Sequence, residues 1–230
     1  GRDWFVKKPK GKLLIIDDYV NGQSAADFYN EQLDKIGNGQ FKDRYDVFDL
    51  ENEELAYPNL SFLETLKLFE HVLWYSDSKP NIEFAIMGTQ KFLESGGKLA
   101  YSMTLIDSSS TYEYDLATLQ SFLPIENVEH DKKVNFMFPG AFVLADENFD
   151  YPDLKTSSTV AYVRTFVPNS IAAQKVYNLS STQINGTIGF MNNAKNLFFI
   201  GLPLHLCDGN QGNVQKLLEK LFIEEFGLTL

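Results

Sequence analysis

Cysteine is nearly missing from this chain of 230 residues: Cys207 stands alone, so no internal disulfide can form. Histidine is as scarce, at three, and no grouping of Cys and His has zinc-ligand spacing. No apolar run approaches the roughly 20 residues that cross a bilayer. Positive charge is also in short supply. With 20 basic residues against 31 acidic ones the formal net charge is −11, a field that repels nucleic acid and anionic membrane alike. Neither nucleic acid nor membrane insertion is therefore expected of this segment. A Walker-type lysine loop and a G-x-S-x-G elbow are missing too. Hydrophobic residues are plentiful at 44% and aromatics reach 14%, which excludes a disordered chain and leaves ample core.

The opening "GRDWFVKKPKGK" has neither an initiator Met nor a signal-type apolar stretch. The expectation is a piece of a longer precursor, with residues 1–11 as a linker or the remnant of a preceding domain and 12–230 as one α/β domain. "KLLIIDDY" carries an apolar run without alternation, as in a strand covered on both faces. Ser24 is placed to cap a helix with Ala25, Phe28, Tyr29, Leu33 and Ile36 near one face, ended by Gly37 and Gly39. "RYDVFDL" alternates like a strand near an edge. Then "SFLETLKLFE" reads as helix, "HVLWYSD" as strand, "NIEFAIMGTQKFLES" as helix after Pro80, and "KLAYSM" as strand. That alternation predicts a mostly parallel sheet in a three-layer, flavodoxin-like α/β sandwich. From about residue 105 the rhythm breaks. A β-rich insertion at about 125–195 is expected to lie as hairpins against the sheet. "NLFFIGLPL" returns to a buried strand, and "GNVQKLLEKLFIEEFG" closes the chain as a helix with Val214, Leu217, Leu218, Leu221 and Phe222 as its apolar stripe.

In open parallel sheets, ligands bind outside the carboxyl ends of the strands, where strand order reverses. That rule selects Asp17, Asp18 and Tyr19 after the first strand and Ser76 and Asp77 after the third. It adds Ser102, Met103 and Thr104 after the fourth, and His205 with Cys207 after the last. Asp17, Asp18 and Asp77 have the oxygen ligands for Mg²⁺, while strand-end Asp residues also cap the turns and helices that follow them. "IDD" with a later strand-end Asp and Thr also looks like a phosphoryl-accepting receiver domain. Against that, Asp18 and Asp77 stand 59 positions apart, and "FFIGLPLHL" offers no lysine. His205 and Cys207, at i and i+2 of an extended strand, would share a face with Cα atoms about 7 Å apart. That is too far for a dependable sulfur–imidazole bond, and a lone Cys ending an apolar strand reads as a small buried hydrophobe. His71, before a strand, and His130, in "ENVEHDKKVN", read as surface residues. Gly209 and Gly212 in "DGNQGN" lead into a helix N-terminus where an anion could sit. Tyr112, Tyr114, Phe149 and Tyr151 are candidates for a sugar-stacking wall.

At these residues a family resemblance emerges. "KLLIIDDYVNGQSAADFYNEQL" is similar to the opening strand, turn and helix of class I glutamine amidotransferase domains, and "GGKLAYSM" falls where that family's strand leads to its nucleophile elbow. "IGLPLHL" looks like the late strand bearing the family's catalytic His, which would map to His205. The likeness spans about 12–104 and 196–226. The departures are chemical: Met103 or Thr104 stands at the elbow, "YSDSKPN" replaces the oxyanion loop, and Cys207 takes the place of the acid. A thioether accepts no acyl group, and without the glycines the amide donors are poorly aimed. The resemblance thus implies the scaffold without the chemistry, of the kind found in exported bacterial proteins beside immunoglobulin-like modules. The expectation is a non-catalytic, periplasmic or cell-surface binding domain without cofactor. Its partners would be neighbouring domains of the same precursor and a glycan or small molecule at Asp17, Asp18, Tyr19, Ser76, Asp77, Met103, Thr104 and His205. The rival is a hydrolase using the strand-end carboxylates, with a divalent metal, and His205.

Overall fold

The computed structural model describes residues 8–20, 22–50, 52, 58–76, 80–105, 114–129, 135–180 and 184–229. The first half alternates as its hydrophobic rhythm predicts: β1 (Leu13–Asp18), α1 (Gln23–Lys35), β2 (Tyr45–Asp49), α2 (Pro58–Leu66), β3 (His71–Ser76), α3 (Ile82–Glu94) and β4 (Lys98–Ser102). The apolar run of β1 is buried from Leu13 to Ile16 and β3 is buried at all six positions, as strands covered on both faces must be. β2, β1, β3 and β4 lie side by side in that order, all parallel, with β2 at the edge its alternation predicts. Strand order reverses around β1. α1 starts at Gln23 behind Gly22, not behind a Ser24 cap, and left-handed backbone at Gly37 and Gly39 follows its end.

The second half comprises α4 (Leu116–Gln120), β5 (Ile125–Glu129), β6 (Phe136–Met137), β7 (Phe142–Ala145), β8 (Leu154–Lys155), β9 (Val160–Ala161), β10 (Thr165–Pro168), β11 (Ala173–Ser180), β12 (Asn185–Asn192), β13 (Leu197–Ile200) and α5 (Asn213–Glu219). β13 lies parallel to β4 and completes five parallel strands. The inserted hairpins differ from the expectation. Most do not lie against the sheet but prolong it: β12 pairs antiparallel with β13, β11 with β12, and β7 and β8 follow, giving one sheet of eleven strands, while β6 and β9 pair as a separate two-stranded sheet. The cause is local. The Asn192 side-chain oxygen accepts from the backbone N–H of Asn196 and Leu197, and Lys195 adopts left-handed backbone, closing a tight hairpin that brings β12 onto the outer edge of β13. Backbone groups that would otherwise be unpaired inside the molecule are thereby satisfied. β12 then forks, for its first half also meets β10, which pairs with β5.

The fold is thus mixed α/β around one large sheet whose central strands are parallel. Helices associate in pairs, α1 with α5 and α2 with α3. The closing helix is not uniform: α5 is followed by a π-helical turn, Lys220–Glu225, while the stripe Val214, Leu217, Leu218, Leu221 and Phe222 is buried as predicted. His71 is not on the surface. It is 3% exposed at the start of β3, where its Nε2 bonds the Phe226 carbonyl and its ring meets Phe222 and Phe226. A polar residue ahead of a strand reads as exposed, but the C-terminal turn folds back over this one. Among the described residues, no helix is long and apolar enough to cross a membrane.

Candidate functional site

The carboxyl ends of β1 and β3 flank the point of strand-order reversal, the place where an open sheet offers a crevice. Here Asp17 and Asp18 are held by the protein's own groups. One carboxylate oxygen of Asp18 accepts from the Trp74 indole at 3.1 Å and from the Asn81 backbone N–H at 2.6 Å, just ahead of α3. The Asp18 carbonyl accepts from the fully buried Ser76 hydroxyl at 2.7 Å. Asp17 accepts from the Tyr19 N–H at 3.1 Å and from the Tyr75 hydroxyl. Burial first, and then the Asp17 carboxylate, drive the Tyr75 phenol far above its ordinary range. Both aspartates are therefore engaged in joining strand ends to the segments that follow. Asp77 lies outside the described residues. Among those described, no three His, Cys, Asp or Glu side chains converge as a metal-ligand set.

Ser102 ends β4, just ahead of the elbow position at Met103 or Thr104. Its hydroxyl is 1% exposed and tied on every side: Tyr29 OH at 2.7 Å, the Leu202 carbonyl at 2.9 Å and the Leu204 N–H at 3.0 Å. The Leu204 N–H reaches Tyr29 OH as well, at 3.1 Å, and the Tyr29 ring stacks on Tyr75 with centroids 4.1 Å apart. This knot pins α1, β4 and the loop after β13 to one another. Met103 is fully buried beside it, and Thr104 is 4% exposed.

The segment carrying His205 and Cys207 is not an extended strand. β13 ends at Ile200, and Leu204–Leu206 form a 3-10 turn after Pro203. The extended geometry that would have placed both side chains on one face is therefore absent at this segment. His205 packs edge-on to Tyr19, with centroids 5.2 Å apart, and against Phe28 and Tyr29. Burial lowers its pKa to about 4, so the ring is neutral at neutral pH, and its buried Nδ1 has no hydrogen-bond partner among the described residues. A catalytic base needs an orienting group at that nitrogen. Cys207 is fully buried, with its thiol against the Pro203 carbonyl. Burial, and next the Asp208 charge, push the thiol up to about 12, so no thiolate forms. Asp208 itself accepts from the N–H groups of Gly212 and Val214 at the start of α5. The anion expected at "DGNQGN" is the chain's own carboxylate.

Of the four aromatics of the expected sugar wall, three are among the described residues. Tyr112 lies outside the described residues, as does His130; Tyr114 bonds the Pro80 carbonyl, while Phe149 stacks on the largely buried Tyr151 at 5.8 Å. What the sequence reading missed is a second concavity of about 330 Å³, bounded by the C-terminal half of α3, the segment from α4 to β5, and the start of β13. Ala172 and Asn192 complete the rim, and no spacing within any one of these separate stretches signals it. Compared with known proteins, the sequence matches no family model and no curated relative.

Proposed function

We propose that the chain is a non-catalytic binding or interaction domain on a degenerate amidotransferase-like scaffold, part of an exported bacterial protein. The strand order β2-β1-β3-β4-β13 and the helix pairs α1–α5 and α2–α3 support the three-layer, flavodoxin-like form of that scaffold. One observation carries the functional reading. The hydroxyl that ends β4, just ahead of the elbow position at Met103 or Thr104, is a buried crosslink among Tyr29, Leu202 and Leu204, and Met103 offers only a buried thioether. A neutral, unoriented His205 and a buried, protonated Cys207 point the same way. Ligand recognition then falls to concave surfaces elsewhere on the domain.

The test is an assay of glutamine, ester and phosphoester hydrolysis by the wild type and by Ser102→Ala and His205→Ala, with and without Mg²⁺ or Mn²⁺. No turnover above the uncatalysed rate is expected. Turnover by the wild type that either substitution abolishes, while the variant still folds, would overturn the reading in favour of a hydrolase.

A further inference from the structure

The 330 Å³ groove has a one-sided hydrogen-bonding character. Its floor is apolar, formed by Leu93, Phe122, Leu123 and Leu197, and its size falls within the range of roughly 300–1,000 Å³ typical of small-molecule sites. Each polar donor group along it already holds an internal acceptor. The Gln120 amide nitrogen donates to the Ile125 and Glu126 carbonyls, and the Gln90 amide nitrogen to Glu94. The hydroxyls of Thr89 and Ser121 donate to the Ala85 and Thr118 carbonyls. The backbone N–H groups of Ser121, Phe122, Leu123, Ala172 and Leu197 are bonded as well. What remains on the rim is mostly acceptor: the side-chain carbonyls of Gln90 and Gln120 and the second oxygen of the Glu94 carboxylate, beside one spare amide N–H each on Gln90 and Asn192.

Charge agrees with this inventory. Glu94 is the sole charged residue lining the groove, and no Lys, Arg or His does so. Glu94 is also the last residue of the 13-residue α3, whose negative dipole end lies there. The whole chain adds a net charge of −11. An anionic ligand would meet repulsion at each of these scales. A neutral polar ligand would find acceptors and few donors.

We propose that this groove binds a small aliphatic primary ammonium, its apolar stem on the Leu93–Phe122–Leu197 floor and its head group donating to Glu94, Gln90 and Gln120. The groove lies at the amino end of β13, away from the carboxyl-end crevice. Hydrolytic turnover there would leave this assignment intact, and a failure here would leave the non-catalytic reading intact.

The test titrates isotope-labelled protein at low ionic strength with n-hexylammonium, n-hexanol and n-hexanoate, following backbone amide shifts. Hexylammonium is expected to move the amides of residues 89–94, 120–124, 192 and 197, to bind more tightly than hexanol, and to weaken as salt is added. Glu94→Gln lowers its affinity at least about threefold, the scale of an exposed ion pair. Ala172→Trp, on the exposed rim, fills the groove and abolishes the shifts while far-ultraviolet circular dichroism stays unchanged. Equal binding of hexanol, binding of hexanoate, or no shift with any probe overturns the proposal, as does a Glu94→Gln variant with wild-type affinity.

Discussion

Ser102 is the residue that ties the end of β4 to its surroundings, through three buried partners. A serine held by Tyr29, Leu202 and Leu204 contributes to stability through hydrogen bonds that cannot be replaced by water. Ser102→Ala is expected to cost about 1–3 kcal/mol, because the Leu202 carbonyl loses its partner inside the core. Tyr29→Phe should cost a similar amount, and the double variant less than the two together, since both remove the same bond. Urea denaturation of the three variants checks this. His205 gives a second prediction, in pH. Its folded pKa of about 4 lies below the ordinary 6.5, so between those values the unfolded chain binds more protons than the folded one. Stability is full above pH 6.5, falls as the pH drops towards 4, and levels off below; the loss is at most about 3 kcal/mol. His71, also lowered by burial, adds in the same direction. In His205→Phe the slope should flatten, which thermal melts across that interval will show. The candidate residues around the crevice were legible in sequence because each closes an apolar run. Their partners were not. Tyr29, Tyr75 and Trp74 sit inside a helix and a strand and looked like core, so nothing in the linear order revealed that they bond Ser102, Asp17 and Asp18.

Elements were legible where burial sets a period. β1, β3, β4 and the helices between them follow from apolar runs and stripes, and the edge position of β2 from its alternation. Illegible were the elements whose geometry depends on a distant partner. The turn at Leu204–Leu206 read as a continuation of β13 because its leucines are as buried-looking as the strand's. The inserted hairpins announced themselves as strands, but the edge they join is chosen by the Asn192 turn, a side-chain effect. Two substitutions test elements directly. Asp208→Ala should cost about 1 kcal/mol by removing the acceptor at the start of α5, and Asp208→Asn much less. Gly186 has φ +133°, and a Cβ there would stand 2.5 Å from a Glu129 carboxylate oxygen. Gly186→Ala should therefore destabilise the β10–β12 fork by more than 1 kcal/mol, about the ordinary cost of strained backbone, with the largest loss of amide protection in β5 and β10. The β5 strand also carries its own protection. Gln120 covers the Ile125 and Glu126 carbonyls, and the Asn127 side chain accepts the Val128 N–H, which blunts an edge otherwise open to a stray strand.

At the scale of the molecule, a single sheet and one contiguous core link the parallel half to the inserted one. Unfolding is expected to be one cooperative transition. The fluorescence of buried Trp74 in β3 and far-ultraviolet circular dichroism should trace the same denaturant midpoint. Distinct midpoints would mean that the insertion melts alone. The β4–β13 pairing also imposes a waiting time on the ribosome. Leu99 bonds beside Leu197, 98 positions later, so β4 emerges with one flank unsatisfied until the whole insertion has been translated. At roughly 5–20 residues per second that interval lasts about 5–20 seconds. Throughout it, an apolar strand with a free edge is the part of the nascent chain most in need of a chaperone's cover.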